Sequence, residues 1–116
     1  MTQDFQDTTV NRPSQSRTRN WVYTFNNYTD LDCFALSNWE QPKWHYYAHE
    51  VAPTTGTPHL QGAFVLHNAT EWKTLMKKFN FSFLAPMRGT PQQARAYCAK
   101  GDGGSFETGL WTILNK

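Results

Sequence analysis

Two strand-like runs separated by a short turn constrain the fold of this chain more than any other feature. Residues 44–51 and 59–66 contain the aromatic and β-branched side chains that strands favour. The segment between them, Pro53-Thr54-Thr55-Gly56-Thr57-Pro58, has the composition of a turn. The pattern therefore predicts a β-hairpin, and the remaining elements must be arranged around a sheet.

Further elements flank this hairpin on both sides. Residues 21–25 are aromatic or β-branched and would point to alternating faces, which predicts a strand. Thr29 or Asp30 is positioned to cap a short helix that carries Leu31, Phe34, Ala35 and Leu36. Asn68 and Glu71 have the spacing of a capping box. The helix expected after it carries one apolar stripe, which consists of Trp72, Leu75, Met76 and Phe79.

The last third of the chain predicts a strand over residues 81–87 and then another helix. Thr90 and Gln93 form a second capping box, with Pro91 at the permitted first helical position. We expect this helix to extend through Lys100 and to end at Gly101. Phe106 or Trp111 is expected in a final short strand.

This order of elements predicts an α+β fold, with a central, mostly antiparallel five-stranded sheet flanked by helices and a ferredoxin-like outline. Aromatic residues make up 16% of the 116 residues, so we expect a core built from large rings. Residues 1–19 are polar and are predicted to be a disordered tail, and residues 20–116 to be the folded domain. No apolar run approaches the length of about 20 residues that crosses a bilayer, and no membrane association is expected.

One group of polar residues in the hairpin has the chemistry of a metal site. His59 and Gln61 are two positions apart on a strand and therefore share a face. Glu50 lies across the turn, and a suitable register would bring its carboxylate beside them. This nitrogen and oxygen donor set, without sulfur, suits Mn²⁺ or Mg²⁺ better than structural zinc. An ordinary strand face remains the alternative, and His45 with His49 form a rival pair on the preceding strand.

Two further features have possible chemical roles. Tyr97 and Lys100 lie three residues apart on the predicted helix and are able to face one ligand. A tyrosine hydroxyl becomes an effective nucleophile only when its target is activated, for example by a metal ion and a nearby ammonium group. Asn26 and Asn27 end the first strand and are able to contact nucleic acid. The plain alternatives are a half-buried ring with a solvated lysine, and a simple turn.

Three segments together resemble the motifs of replication-initiator (Rep) proteins of small circular single-stranded DNA viruses, of the circovirus and cyclovirus type. They are Trp21-Val22-Tyr23-Thr24-Phe25-Asn26-Asn27, Thr57-Pro58-His59-Leu60-Gln61-Gly62 and Tyr97-Cys98-Ala99-Lys100. Gly89-Thr90-Pro91-Gln92-Gln93 is also similar to that group, and the resemblance covers residues 19–109. Each motif alone is weak, whereas three in order within one small domain are specific.

The resemblance implies the fold and activity of an HUH endonuclease. It assigns origin recognition to the segment that ends in Asn26 and Asn27. It assigns the metal ligands to His59 and Gln61, completed by Glu50. Gln61 stands where the family name refers to a second histidine, a departure that circovirus-type members share and that favours a hard divalent ion.

The resemblance also implies Tyr97 as the nucleophile, with Lys100 as its helper. The implied reaction nicks single-stranded DNA at an origin stem-loop, leaves a 5′-phosphotyrosine and a free 3′-hydroxyl, and later rejoins the strand. That chemistry would initiate and terminate rolling-circle replication in the host nucleus, with a host polymerase extending the 3′ end. Family members continue into a helicase domain. This chain has no Gly-x-x-x-x-Gly-Lys-Ser/Thr motif, so we expect that domain, and the oligomerisation it supports, to be absent.

The near balance of basic and acidic residues indicates that the domain does not bind DNA through a large positive charge. The chain carries 11 basic and 9 acidic residues, of which 3 and 2 lie in residues 1–19, so the predicted domain has 8 and 7. We therefore expect a shallow dependence of DNA affinity on salt. The alternative function is a non-catalytic module that stacks single-stranded bases on exposed rings such as Tyr23, Trp44 or Tyr46.

Overall fold

A computed structural model describes residues 17–101 and 103–109 of the chain. These residues form five strands and three helices in the order predicted from the sequence. The strands are β1 (Arg17–Asn26), β2 (Pro42–Val51), β3 (Pro58–Glu71), β4 (Phe83–Pro86) and β5 (Ser105–Gly109). The helices are α1 (Asp30–Ser37), α2 (Trp72–Lys78) and α3 (Pro91–Cys98).

The strands form one five-stranded sheet in the order β4-β1-β3-β2-β5, and every pairing is antiparallel. The predicted α+β architecture is thus confirmed, and the predicted hairpin consists of β2 and β3. Strand β3 lies at the centre, paired with β1 on one side and with β2 on the other. Within the described ranges, no helix has the length and apolar character needed to cross a membrane.

One face of the sheet carries the aromatic core that the composition predicts. Trp21, Tyr23 and Phe64 are fully buried on this face, and helices α1 and α2 cover it. The apolar stripe of α2 packs here, with Leu75 fully enclosed and the other three members partly buried. Contacts between rings recur throughout this layer, for example at 4.7 Å between the ring centres of Tyr23 and Phe81. Most of the large side chains of the domain are therefore collected on one side of the sheet.

The opposite face is covered by α3. Its buried cluster combines Trp44 and Val65 with the small residues Ala48, Ala63 and Cys98. Strand alternation decides this segregation, because even-numbered residues of β2 and odd-numbered residues of β3 point towards α3. Glu50, His59 and Gln61 therefore belong to the α3 side of the sheet.

Two capping boxes confirm the expected helix starts. At α1, the Thr29 side chain accepts from the backbone N–H of Asp32, and the Asp32 carboxylate accepts from the backbone N–H of Thr29. At α3, Thr90 and Gln93 exchange the same pair of hydrogen bonds, with Pro91 in the first turn.

The predicted capping box at Asn68 is wrong. Asn68 lies within β3, and the residue that precedes α2 is Glu71, which makes no side-chain capping hydrogen bond. The strand continues because the start of β1 pairs with it: Arg17 lies opposite Glu71, and their side chains form an ion pair of 3.3 Å. Pairing with β1 therefore extends β3 through Glu71, and α2 begins directly after the strand without a side-chain cap.

Several other predicted boundaries differ from the structure. Strand β1 begins at Arg17, so residues 17–19 belong to a strand rather than to the predicted tail, and the rest of that tail lies outside the described residues. Strand β4 spans residues 83–86 instead of 81–87. Helix α3 ends at Cys98, so Lys100 lies in the turn that follows it. Phe106 is in β5 as expected, whereas Trp111 lies outside the described residues.

Candidate active site

Glu50 and His59 are directly opposite each other in the β2–β3 hairpin, so the register that the prediction required is present. His59 Nε2 lies 3.0 Å from Glu50 Oε1, and the two side chains are 15% and 26% exposed. The other ring nitrogen, Nδ1, is 3.4 Å from the carbonyl oxygen of Thr57. A backbone carbonyl at Nδ1 is the usual arrangement when Nε2 serves as a metal ligand.

Gln61 follows on the same face, opposite Ala48 of β2 and Thr24 of β1. Its amide orientation is set by two hydrogen bonds. Oε1 accepts from Thr24 Oγ1 at 3.3 Å, and Nε2 donates to the carbonyl oxygen of Tyr23 at 3.3 Å. Both hydrogen bonds are long and therefore weak. Replacing the bond from Thr24 Oγ1 with a stronger partner for Gln61 Oε1 therefore costs little free energy.

The donor atoms of Glu50 and His59 fit a shared divalent cation. Two adjacent ligands of an octahedral ion with bonds of about 2.1 Å have donor atoms about 3.0 Å apart, which matches the separation of Nε2 and Oε1. Among residues 17–101 and 103–109, no group of three or more His, Cys, Asp or Glu residues forms a metal cluster. The Gln61 amide oxygen is the third donor that the resemblance implies, and this mixed set of donors would suit a hard ion such as Mn²⁺ or Mg²⁺.

Tyr97 lies in the last turn of α3 with 51% of its surface exposed. It lines a cavity of about 270 Å³ together with Gln61 and Thr24. Lys100 Nζ is 5.5 Å from the centre of the Tyr97 ring, a cation–π contact. The turn after the helix, rather than the helix surface, thus places the ammonium group beside the tyrosine.

The two asparagines at the end of β1 have different positions. Asn26 is exposed and lies opposite His59 in the register of β1 and β3, so it flanks the Glu50–His59 pair. Asn27 has a φ of 53°, and its backbone N–H donates to the carbonyl oxygen of Pro58 at 2.8 Å. Asn27 therefore forms the turn, and Asn26 is the better placed of the two for a ligand.

The rival histidine pair does not form a site. His45 is completely buried, with Nε2 2.8 Å from the Tyr23 hydroxyl, and burial lowers its pKa to about 3. His49 Nδ1 instead lies 2.8 Å from the Tyr28 hydroxyl. The Tyr47 ring contacts both imidazoles, with ring centres 5.7 Å apart in each case. Each imidazole is hydrogen-bonded to a tyrosine hydroxyl, and both lie on the face of the sheet opposite Glu50.

The rings suggested for base stacking are not available. Tyr23 and Trp44 are fully buried, and Tyr46 is 6% exposed. Tyr46 is in addition covered by Arg95, whose guanidinium carbon lies 4.9 Å from the ring centre. The structure therefore contradicts the expectation that these three side chains are exposed.

Further residues complete the surroundings of the site. The cavity beside Tyr97 is also lined by Arg88, which the sequence did not single out, and by Gln93, which it indicated only as a capping residue and as part of a motif. Thr24 was detectable, because it lies two positions before Asn26 on the same strand face. Gly101 packs against Glu50: a Cβ at this glycine would lie 2.5 Å from Glu50 Cγ. The turn after α3 thus packs directly against the Glu50 side chain.

Cys98 lies beneath this part of the site. Burial, together with the charge of Glu50, raises the pKa of its thiol to about 12. A thiol in this state is an inert packing group rather than a nucleophile. Of the neighbours Tyr97 and Cys98, only the tyrosine reaches the surface.

Comparison with known proteins adds an independent line of evidence. Residues 18–101 match the family described as "Putative viral replication protein". The Replication-associated protein of Human associated cyclovirus 1 is 37% identical over 100 residues, covering 83% of this chain and 35% of that protein. The Replication-associated protein of Pigeon circovirus is 30% identical over 90 residues, covering 76% of this chain and 28% of that protein.

These matches agree with the resemblance found in the three sequence motifs. The chain belongs to this family of viral replication proteins. It spans about a third of the length of the curated relatives that it matches.

Proposed function

We propose that this domain is a metal-dependent endonuclease and strand transferase that nicks and rejoins single-stranded DNA at a viral replication origin. One observation carries the proposal: the Glu50–His59 pair, Gln61 and the exposed Tyr97 all lie on the α3 side of the sheet. Gln61 links the two halves, because it follows His59 on β3 and lines the same cavity as Tyr97.

Glu50, His59 and Gln61 would hold the divalent ion. When bound, the ion supplies electrophilic activation of the scissile phosphate and charge neutralisation. Tyr97 Oη attacks the phosphorus and loses its proton, a P–Oη bond forms, and the P–O3′ bond breaks. The leaving 3′ oxygen takes up a proton. The products are a 5′-phosphotyrosine and a free 3′-hydroxyl.

Lys100 assists the nucleophile Tyr97 in this proposal. Its ammonium group beside the Tyr97 ring stabilises negative charge that develops on Oη as the proton leaves. Asn26 positions the DNA near His59. The reverse attack by a 3′-hydroxyl on the phosphotyrosine restores Tyr97 and rejoins the strand. Because one phosphate ester replaces another, joining needs no nucleotide cofactor.

The wider setting is part of the same proposal. The free 3′-hydroxyl would be extended by a host polymerase in the host nucleus, and the same chemistry would terminate a round of rolling-circle replication. Assembly into oligomers would depend on a helicase domain of the kind that the resemblance to Rep proteins implies. The names of the cyclovirus and circovirus relatives support a place in replication.

The central test is formation of a covalent protein–DNA adduct. The domain is mixed with a single-stranded oligonucleotide that carries the origin of the corresponding genome and with Mn²⁺, and the products are separated on a denaturing gel. We expect an adduct that is lost in Tyr97→Phe and with chelator. Tyr28→Phe is the matched control, because its hydroxyl contacts His49 on the other face of the sheet. An adduct that persists in Tyr97→Phe would contradict the proposal.

Two variants test the assigned roles. His59→Ala should abolish cleavage while most DNA affinity remains, and His67→Ala, an exposed histidine further along β3, should leave both unchanged. Equal loss of binding and cleavage in His59→Ala would argue against a metal ligand. Lys100→Ala should slow cleavage without reducing Mn²⁺ affinity, whereas Lys77→Ala on α2 should have no effect. An unchanged rate in Lys100→Ala would refute its role.

A further inference from the structure

Helix α3, which carries Tyr97, has little apolar surface with which to fix its orientation. It spans eight residues, and its contribution to the buried cluster consists of Ala94 and Cys98. The sheet beneath it contributes Trp44, Tyr46 and Val65 to this cluster together with the small side chains of Ala48 and Ala63. The two small side chains of the helix interdigitate weakly with this surface, so their contact alone leaves rotation of the helix about its own axis poorly defined.

A polar clamp on one side of the helix supplies the missing constraint. Arg95 Nε donates to Glu107 Oε2 at 2.8 Å, and Arg95 Nη2 donates to Glu107 Oε1 at 2.6 Å. Trp44 Nε1 donates to the same Oε2 at 2.7 Å, and the guanidinium covers the ring of Tyr46. This is the two-point fork geometry that fixes direction as well as distance.

The clamp holds its two partners in their charged forms. Hydrogen bonding to Glu107 raises the pKa of Arg95, and hydrogen bonding to Arg95 lowers the pKa of Glu107. The side chains are 35% and 28% exposed, so the pair is partly shielded from water.

Arg95 and Tyr97 project from opposite flanks of α3. Residues two positions apart in a helix are separated by about 200° of rotation about the helix axis. Arg95 reaches β5, at one edge of the sheet, through Glu107. Tyr97 faces the cavity that is lined on its far side by Val22 of β1 and Phe83 of β4. A rotation that releases the Arg95 flank therefore moves Tyr97 across the cavity.

We propose that the Arg95–Glu107 clamp positions Tyr97 for attack by fixing the rotation of α3 about its axis. The proposal rests on the proposed function of Tyr97, and neither clamp residue contacts the reacting atoms. A tyrosine hydroxyl lies about 9 Å from the axis of its helix, so a rotation of 10° displaces it by about 1.5 Å. A displacement of about 1 Å in a reacting group costs up to about a hundredfold in rate.

The test is the single-turnover rate of adduct formation at saturating DNA and Mn²⁺. Glu107→Gln and Arg95→Gln should each slow this step by about ten- to a hundredfold. Affinity for the oligonucleotide and for Mn²⁺ should stay within about twofold of wild type, because the clamp touches neither ligand site. Arg95→Lys keeps the charge but loses the fork, and an intermediate rate is expected.

The double variant and a control separate positioning from general damage. Because the two residues act as one unit, Arg95→Gln with Glu107→Gln should be no slower than either single variant. The matched control is Glu71→Gln, which breaks the ion pair with Arg17 at the end of β3 that lies away from His59 and should leave the rate unchanged. Additive losses, or equal losses in the control, would overturn the proposal.

A readout without DNA distinguishes failure of the clamp from failure of the proposed function. In Glu107→Gln, amide hydrogen exchange in α3 should accelerate by at least about tenfold relative to wild type, while exchange in β3 should remain unchanged. Unchanged exchange in α3 would overturn the clamp even if wild type forms the adduct. An adduct absent from wild type, with accelerated α3 exchange in the variant, would refute the nuclease proposal and retain the clamp.

Discussion

Acidification should destabilise this domain through a residue that is remote from the proposed site, His45. Its imidazole is completely buried, and Nε2 is 2.8 Å from the Tyr23 hydroxyl. Burial lowers its pKa from 6.5 to about 3, with the backbone of Leu36 opposing part of that effect. The folded protein thus keeps His45 neutral at a pH at which the unfolded chain binds a proton.

The sign and size of the effect follow from this difference in proton uptake. Between pH 6.5 and about 3 the unfolded state holds one more proton at His45, so the free energy of unfolding falls as the pH falls. The slope is about 1.4 kcal/mol per pH unit, and the full window corresponds to about 5 kcal/mol. That is comparable to the total stability of a small domain, which is about 5–15 kcal/mol.

Urea unfolding followed by tryptophan fluorescence measures this slope. The reference is the double variant His45→Phe with Tyr23→Phe, which removes the imidazole without leaving the tyrosine hydroxyl unpaired. Between pH 6.5 and 4.5, wild type should lose about 2 kcal/mol more than this variant. The histidines other than His45 are shared by both proteins and cancel in the comparison. Parallel curves over this range would refute the assignment of acid sensitivity to His45.

Three further outcomes are expected. Gly62→Ala places a Cβ 2.3 Å from the ring carbon Cζ of the buried Tyr23, so urea unfolding should show a loss of about 3 kcal/mol. Gly101→Ala pushes Glu50 away, because its Cβ would lie 2.5 Å from Glu50 Cγ, and Mn²⁺ affinity measured by calorimetry should fall by about tenfold. In filter-binding assays, log affinity for single-stranded DNA should change with log salt by a slope shallower than about −3, reflecting the near balance of charges; a steeper slope would contradict it.

The elements that could be predicted from the sequence are those with a local cause. The hairpin followed from its turn composition, and α3 followed from the Thr90 capping box, because both signals act within a few residues. The prediction at Asn68 was wrong because it too used only a local pattern. The spacing of Asn68 and Glu71 matches a capping box, but pairing of Thr18 with Thr70 keeps that segment in the sheet. A contact between residues more than fifty positions apart has no local signal.

In the candidate site, too, features with a local cause could be predicted and features set by distant contacts could not. Strand alternation placed His59 and Gln61 on one face, whereas the position of Glu50 depended on the hairpin register, which the sequence leaves open. Strand periodicity alone did not distinguish buried His45 from partly exposed His59, since each lies within a strand. Burial is decided by the helices that cover each face.

The unequal construction of the two faces has a consequence for how such a domain diversifies. The interlocking rings around Tyr23 and Phe64 lie on one side of the sheet, and Gln61 and Tyr97 lie on the other. Exchanges at positions around the cavity, such as Arg88 or Gln93, leave that aromatic layer intact. Under the proposed function, a lineage is therefore free to alter which nucleotides it prefers without rebuilding the layer that keeps the chain folded.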